Sequence, residues 1–259
     1  MRKQKAILFD ATQCVGCGTC YEACKEKNKL PETNKDFLKD HLSANTFTVV
    51  EEYGDVYTRK MCMHCIDPAC VSVCPVGALQ KTDIGPVIYD SDKCLGCRYC
   101  MQSCPHKIPR YEWNKTNPSV RKCIMCYDRV SQGNPTACAE ACPTGATTFG
   151  DRDELITEAK KRIADNPGTY YPEIYGVKEA GGTSVLILSP VPFHKLGFAD
   201  LPTEALPNYT ERALEKIPAV VSVGSIFLGS MYWLTKRKNQ IAREKNMSNK
   251  KGSDNNENN

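Results

Sequence analysis

Apolar residues fall into a few short runs along this chain and one long one. "AILF" (6–9) stands between Lys5 and Asp10 and reads as a strand. A second short run, "PVIY" (86–89), also ends on an aspartate, Asp90. Between 151 and 165 the period changes. Leu155, Ile156, Ala159 and Ile163 share one face, which predicts an amphipathic helix with a packing role. Asp151 with Glu154 three residues on offers a capping box at its start, and "NPG" (166–168) stops it. "GGTSVLILSPVPFHKLGF" (181–198) predicts a bend, a buried strand and a turn through two prolines, used as an edge strand or as a subunit contact.

The long run is "IPAVVSVGSIFLGSMYWLT" (217–235), nineteen residues without a charge. As a helix it spans roughly the 30 Å hydrocarbon core of a bilayer. Tyr232 and Trp233 lie at one end, as interfacial aromatics do. Ser225 and Gly229 form a small-xxx-small pair suited to a neighbouring membrane helix. A single transmembrane helix is the expectation. Lys236, Arg237 and Lys238 follow directly, then Arg243, Lys245, Lys250 and Lys251. The positive-inside rule puts this tail in the cytoplasm and the preceding domain in the periplasm. The opening "MRKQKAILFD" has no apolar run of signal length and no twin arginine, so export would rely on a partner carrying such a signal. Residues 246–259 read as polar and disordered.

Composition changes the picture through one residue type. The chain has 16 cysteines, in four groups of four with none left over. They are Cys14, Cys17, Cys20 and Cys24; Cys62, Cys65, Cys70 and Cys74; Cys94, Cys97, Cys100 and Cys104; and Cys123, Cys126, Cys138 and Cys142. With seven Phe and two Trp the apolar core is thin, so metal ligation is expected to supply much of the folding free energy. The net charge of +4, spread among acids, points to no nucleic acid.

Soft thiolates select zinc, copper(I) or iron–sulfur clusters. The third group reads C-x2-C-x2-C-x3-C-P, the bacterial ferredoxin run, in which the fourth cysteine ligates the other cluster of a pair. The first group has this spacing with Lys25 in place of the proline. The second and fourth lengthen one gap, to x4 and x11, and keep the C-P ending. Sixteen thiols at four per cubane predict four [4Fe–4S] clusters. The alternative from another class is a structural-zinc module that binds nucleic acid.

Two short patterns recur: "FDATQC" with "YDSDKC", and "CPVGA" with "CPTGA". Residues 55–118 hold a complete two-cluster unit. The outer pieces, 1–54 and 119–175, carry the same parts in reversed order and make a second unit by closing around the first. The fold class expected is α+β: two ferredoxin-like 2[4Fe–4S] units, one inserted in the other. An extension (176–216), the transmembrane helix (217–235) and a basic, disordered tail (236–259) follow. Crossing each fourth cysteine to its partner gives four ligand sets. These are Cys14, Cys17, Cys20 with Cys142; Cys123, Cys126, Cys138 with Cys24; Cys62, Cys65, Cys70 with Cys104; and Cys94, Cys97, Cys100 with Cys74. His64, between Cys62 and Cys65, is expected to tune a cluster by hydrogen bonding or to face a partner. His106, Lys107 and Arg110 either offset cluster charge or are solvated surface. No catalytic constellation stands out.

The motifs "CMHCIDPACVSVCP", "CLGCRYCMQSCPHKIPRY" and "CPTGATTFG", then "YGVKEAGGTSVLILSPVPF" before one hydrophobic span, resemble a known family. It is the four-cluster ferredoxin subunit of membrane-bound oxidoreductases. It includes the iron–sulfur subunits of hydrogenase-2 type enzymes, the beta subunits of respiratory formate dehydrogenases and the electron-transfer subunits of dimethyl sulfoxide and polysulfide reductases. The resemblance implies a non-catalytic wire at the inner (cytoplasmic) membrane. Electrons would enter from a catalytic subunit holding molybdopterin or nickel–iron. They would leave to an integral membrane subunit that is quinone-reactive or of cytochrome b type. A soluble polyferredoxin carrier is the second reading; the 217–235 span argues against it.

Overall fold

The computed structural model describes residues 3–116 and 118–254, with side chains to residue 246. Strand β1 (Lys5–Asp10) leads through the first cysteine loop into helix α1 (Thr19–Lys27). A hairpin follows, β2 (Thr48–Tyr53) and β3 (Val56–Met61), with Gly54 in its turn at φ 62°. Next come α2 (Ala69–Ser72), β4 (Leu79–Lys81), β5 (Val87–Tyr89) and α3 (Tyr99–Ser103). The short strands β6 (Arg110–Tyr111) and β7 (Val120–Arg121) pair. Helices α4 (Tyr127–Val130) and α5 (Ala137–Glu140) flank the long fourth-group loop, and β8 (Thr147–Asp151) runs into α6 (Arg152–Asp165). The chain ends with β9 (Val185–Leu188), α7 (Leu206–Leu214) and α8 (Ile217–Asp254).

β1 is the middle of a three-stranded sheet, β8-β1-β9. It runs antiparallel to β8, with Lys5 opposite Asp151 and Phe9 opposite Thr147. It runs parallel to β9, with Ile7 opposite Val185 and Asp10 opposite Leu188. Side chains of a strand alternate between faces. Ala6 and Leu8 pack on Leu155 and Ala159 of α6. Ile7 and Phe9 enter the opposite core, with Val50, Met61, Met125, Cys20 and Cys138. Both faces are covered, so β1 has to be apolar at every inner position. Each such side chain contributes about 1.5–3 kcal/mol of burial. The amphipathic helix 151–165 therefore does pack, as its periodicity predicts.

One local expectation changes. Asp151 occupies the N-cap position of α6 in an extended conformation, but its side chain caps nothing. Its carboxylate instead meets Lys5 at 2.6 Å and Lys3 at 3.3 Å. Lys5 is the residue directly opposite across the ladder, and a cross-strand partner of opposite charge outcompetes the cap. The 181–198 stretch supplies β9. This strand is an edge by hydrogen-bonding order, yet all four of its residues are buried. The Ser184 amide, just ahead of it, donates to the Met63 carbonyl at 3.1 Å, so the extension also holds the second cysteine loop.

A separate apolar cluster gathers Leu79, Val87, Val120, Cys70 and Cys100 around the β4–β5 hairpin. Residues to Asn208 form one compact unit, and Tyr209 onward a second. In the second, Val220, Val221, Val223, Ile226, Phe227, Leu228 and Leu234 are all exposed. By length and composition this helical region is a candidate membrane span. Helix α8 starts at Ile217 as expected but continues to Asp254, past the apolar run. Gln240, Ala242, Arg243, Glu244 and Lys245 are strong helix formers and carry it on. Of the tail read as disordered, only 255–259 lies outside the described residues.

Candidate metal centre

All four cysteine loops make the same bend. The residue before the second cysteine has positive φ in each: Gly16 at 67°, His64 at 49°, Gly96 at 71° and Met125 at 56°. Glycine adopts this region freely; a residue with a β-carbon gives up on the order of 1 kcal/mol. A second bend lies three residues after Cys74, Cys104 and Cys142, at Gly77, Lys107 and Gly145 (φ 61°, 52° and 68°). The Lys107 amide donates back to the Cys104 carbonyl at 3.0 Å. These turns let thiols distant in sequence approach one another.

Cys142 comes to the first loop. Burial raises the Cys14 thiol, and the charges of Cys20 and Cys142 add to it. Cys24 reaches toward the fourth group. Burial pushes it to about 12, and Cys138 and Cys126, then Cys20 of its own loop, act in the same direction. Cys65 is raised by burial and then by Cys62, Cys104 and Cys70. Cys100 rises to about 11 through burial and then through Cys94, Cys97 and Cys74. A small pocket is lined by Cys24, Cys123, Cys126 and Cys138, with Arg59, Met61 and Met125 beside them. The four groups of thiols also adjoin in a row. Cys100 lies close enough to Cys70 to disfavour its ionisation, as Cys62 does for Cys123 and Cys138 for Cys20. Burial holds most of these thiols protonated, so only a strong cationic centre would ionise four together.

Among the described residues, no three His, Cys, Asp or Glu side chains converge as one metal ion requires. A cubane instead takes one thiolate at each of four separated corners. Backbone and hydroxyl donors already face some sulfurs. The amides of Ala78 and Thr147 reach Cys74 and Cys142 at 3.2 and 3.4 Å. Burial works against ionisation of Cys142, but the Thr147 amide and Thr144 outweigh it and bring this thiol below its ordinary value.

His64 gives the sharpest test of fit. It is 1% exposed. Its Nδ1 accepts from the Val87 amide at 2.9 Å, so the ring proton belongs on Nε2. Nε2 is buried and has no protein partner. A buried N–H requires an acceptor, and a sulfur-rich group among Cys62, Cys65, Cys70 and Cys104 would supply it. Burial, then the charges of Lys122 and Lys81, hold this imidazole neutral. Both lysines escaped the sequence reading. Lys81 donates to the carbonyls of Cys65 (2.8 Å) and His64 (3.2 Å), and Lys122 to those of Val87 (2.5 Å) and Cys123 (3.0 Å).

His106 does not offset charge near neutral pH. Burial, with Lys60 adding, lowers its pKa to about 4. Lys107 is exposed, and Arg110 binds backbone carbonyls, among them Leu42 at 2.9 Å.

Residues 55–152 match the family described as a 4Fe-4S dicluster domain, and residues 14–28 a 4Fe-4S binding domain. A protein of Nitratidesulfovibrio vulgaris is 41% identical over 255 residues, covering 92% of this chain and 68% of its own length. The hydrogenase-2 operon protein HybA of Escherichia coli O157:H7 is 39% identical over 268 residues, covering 84% of this chain and 81% of its own. The chain belongs to the ferredoxin-type iron–sulfur subunits of membrane-bound oxidoreductases. The formate dehydrogenase-O iron-sulfur subunit of Escherichia coli strain K12, another relative of this iron–sulfur subunit, is 38% identical over 206 residues, 71% of this chain and 66% of its own length. This iron–sulfur subunit carries [4Fe–4S] clusters, four by its sixteen cysteines, and its role is electron transfer.

Proposed function

We propose that this iron–sulfur subunit relays electrons through four cubanes between a catalytic subunit, of hydrogenase or molybdopterin type, and a quinone-reactive or cytochrome b-type membrane subunit. The clusters supply one-electron redox chemistry; the chain holds them, spaces them and sets their surroundings. Their ligands are Cys14, Cys17, Cys20 and Cys142; Cys24, Cys123, Cys126 and Cys138; Cys62, Cys65, Cys70 and Cys104; and Cys74, Cys94, Cys97 and Cys100. The observation that carries this is the cavity in which Cys24 joins Cys123, Cys126 and Cys138. The electrostatic influence of Cys138 on Cys20, Cys62 on Cys123 and Cys100 on Cys70 supports a linear order. The Cys14 set stands at one end and the Cys94 set at the other. The pairing of β1 with β8, apart from that of β4 with β5, supports an inner ferredoxin unit inserted in an outer one. Partners at the two ends fit the exposed apolar side chains there: Val15 at one, Leu95 and Tyr99 at the other.

The span anchors the subunit in the inner membrane, and the lysines and arginine at 236–238 favour a cytoplasmic tail with a periplasmic cluster domain. Protease that cuts the cluster domain only after the inner membrane is breached would reverse that orientation.

The test of the whole reading is anaerobic metal analysis with ligand replacement. The native chain should hold about sixteen irons, four per cubane. Cys24→Ala should remove or alter the cluster of Cys123 and spare that of Cys14, read by electron paramagnetic resonance. Loss of the Cys14 cluster instead, or zinc in place of iron, would overturn the assignment.

A further inference from the structure

Arg59 is a cation without an anion. It lies on β3, is 3% exposed, and faces Val50 across the hairpin. Its Nη1 donates to the Thr147 hydroxyl at 3.0 Å, and its Nε and Nη2 donate to the Thr48 hydroxyl at 3.3 and 3.2 Å. Its Nη2 also donates to the Met61 thioether sulfur at 3.3 Å. All three acceptors are neutral. Among the described residues no carboxylate pairs with it. Asp10, fully buried, by contrast meets Arg162 at 3.1 Å, and buried Lys122 at least has the carbonyls of Val87 and Cys123. An uncompensated guanidinium in the core is strongly disfavoured. Something in the assembled protein has to balance it.

Sulfurs of two ligand sets flank Arg59. On one side Thr147, whose hydroxyl accepts from Arg59, gives its amide to the Cys142 sulfur at 3.4 Å. On the other, Arg59 lines the pocket of Cys24, Cys123, Cys126 and Cys138. We propose that Arg59 is the shared counter-charge of two adjacent cubanes, those of the Cys14 and Cys123 sets, and that it raises both reduction potentials. This rests on the ligand sets proposed above. An added electron makes a thiolate-bound cubane more negative. A fixed cation in low dielectric lowers the energy of that state. Placed between two centres, it favours both and leaves the step from one to the other nearly level. Arginine suits this because it stays charged at every working pH.

The test is a potentiometric titration of the holoprotein under argon, followed by electron paramagnetic resonance, with iron counted in each sample. Arg59→Gln keeps a donor and removes the charge; Arg59→Lys keeps the charge. In R59Q two of the four couples should become harder to reduce by about tenfold, which is 59 mV for one electron. The other two should hold, and R59K should stay within about threefold of native. One of the moving couples should be the one that Cys24→Ser alters. Unmoved couples, four couples moving together, or R59K falling as far as R59Q would overturn the role of Arg59. If R59Q loses iron, R59K decides: native iron and couples support the charge, and iron loss in R59K overturns it. Native protein with well under sixteen irons overturns the ligand reading and this proposal with it.

Discussion

The loops of Cys14 and Cys94 and the loops of Cys62 and Cys123 bend in the same way and fill the bend differently. The first two use glycine, Gly16 and Gly96. Aromatic rings close over them: a β-carbon at Gly16 would stand 2.6 Å from the Tyr57 ring, and one at Gly96 would stand 3.0 Å from the Tyr111 hydroxyl. Their preceding residues, Val15 and Leu95, are each 61% exposed. The other two loops place His64 and Met125 at the bend, each 1% exposed, and accept left-handed backbone on residues that have side chains. A strained conformation persists only where the surroundings over-determine it. In the middle loops the surroundings do so: Met125 fills the main core, and His64 is fixed by Val87. The end loops put apolar surface into solvent, where a partner can meet it. The same turn therefore serves packing in two places and access in the other two.

Substitutions can break this contrast. The largest effect is expected at Met125. Met125→Ala should destabilise the protein by about 3 kcal/mol through lost burial and an unfilled space, seen as a lower urea midpoint of the holoprotein. Equal stability would mean that the middle loop is not held by its core. Next is His64→Leu, which leaves the Val87 amide without its acceptor and should cost roughly 1–3 kcal/mol. It should also change the pH response. Native His64 stays neutral while the unfolded imidazole takes a proton near 6.5, so native stability falls as pH drops below 6.5, by about 1.4 kcal/mol per unit. Urea midpoints of H64L between pH 6.5 and 5.5 should decline less steeply than native; parallel slopes would remove His64 from this account. Gly16→Ala should cost about 1–2 kcal/mol from the left-handed backbone, plus whatever displacing Tyr57 adds. The smallest effect belongs to Val15→Ala and Leu95→Ala. Each should change stability by no more than about 0.5 kcal/mol, while weakening co-purification of a partner subunit. A marked loss of stability there would make these residues part of the fold rather than of a contact.

What sequence could reveal follows from what is periodic or spaced. β1, β5, α6 and the start of α8 were legible because each rests on an uninterrupted apolar pattern. The cysteine motif predicts which sulfur turns away, and the pocket shared by Cys24, Cys123, Cys126 and Cys138 is in keeping with it. Arg59 was not legible. Its burial depends on Thr48 of the facing strand and on Thr147 arriving from 88 residues away, and no local pattern records that meeting. A weaker signal did exist: "TVVEEYGDVYTRKM" is two polar-apolar runs about a Gly54 turn, with an arginine at an inward position. His64 was legible as a candidate for tuning, but its free Nε2 was not, because the tautomer is set by a Val87 amide on another strand. The Asp151 box failed for a related reason: local capping chemistry competes with a ladder partner 146 residues away.

β1 has consequences for how the chain comes to be made. It is synthesised well before both strands that flank it, which belong to residues 147–188. Until those emerge, Ile7, Leu8 and Phe9 have nothing to pair with, and the first-group sulfurs stay open to solvent and oxygen. Residues 62–104 bring their own hairpin and can close earlier. The sheet that covers the first-group sulfurs is therefore completed only when residues 185–188 arrive.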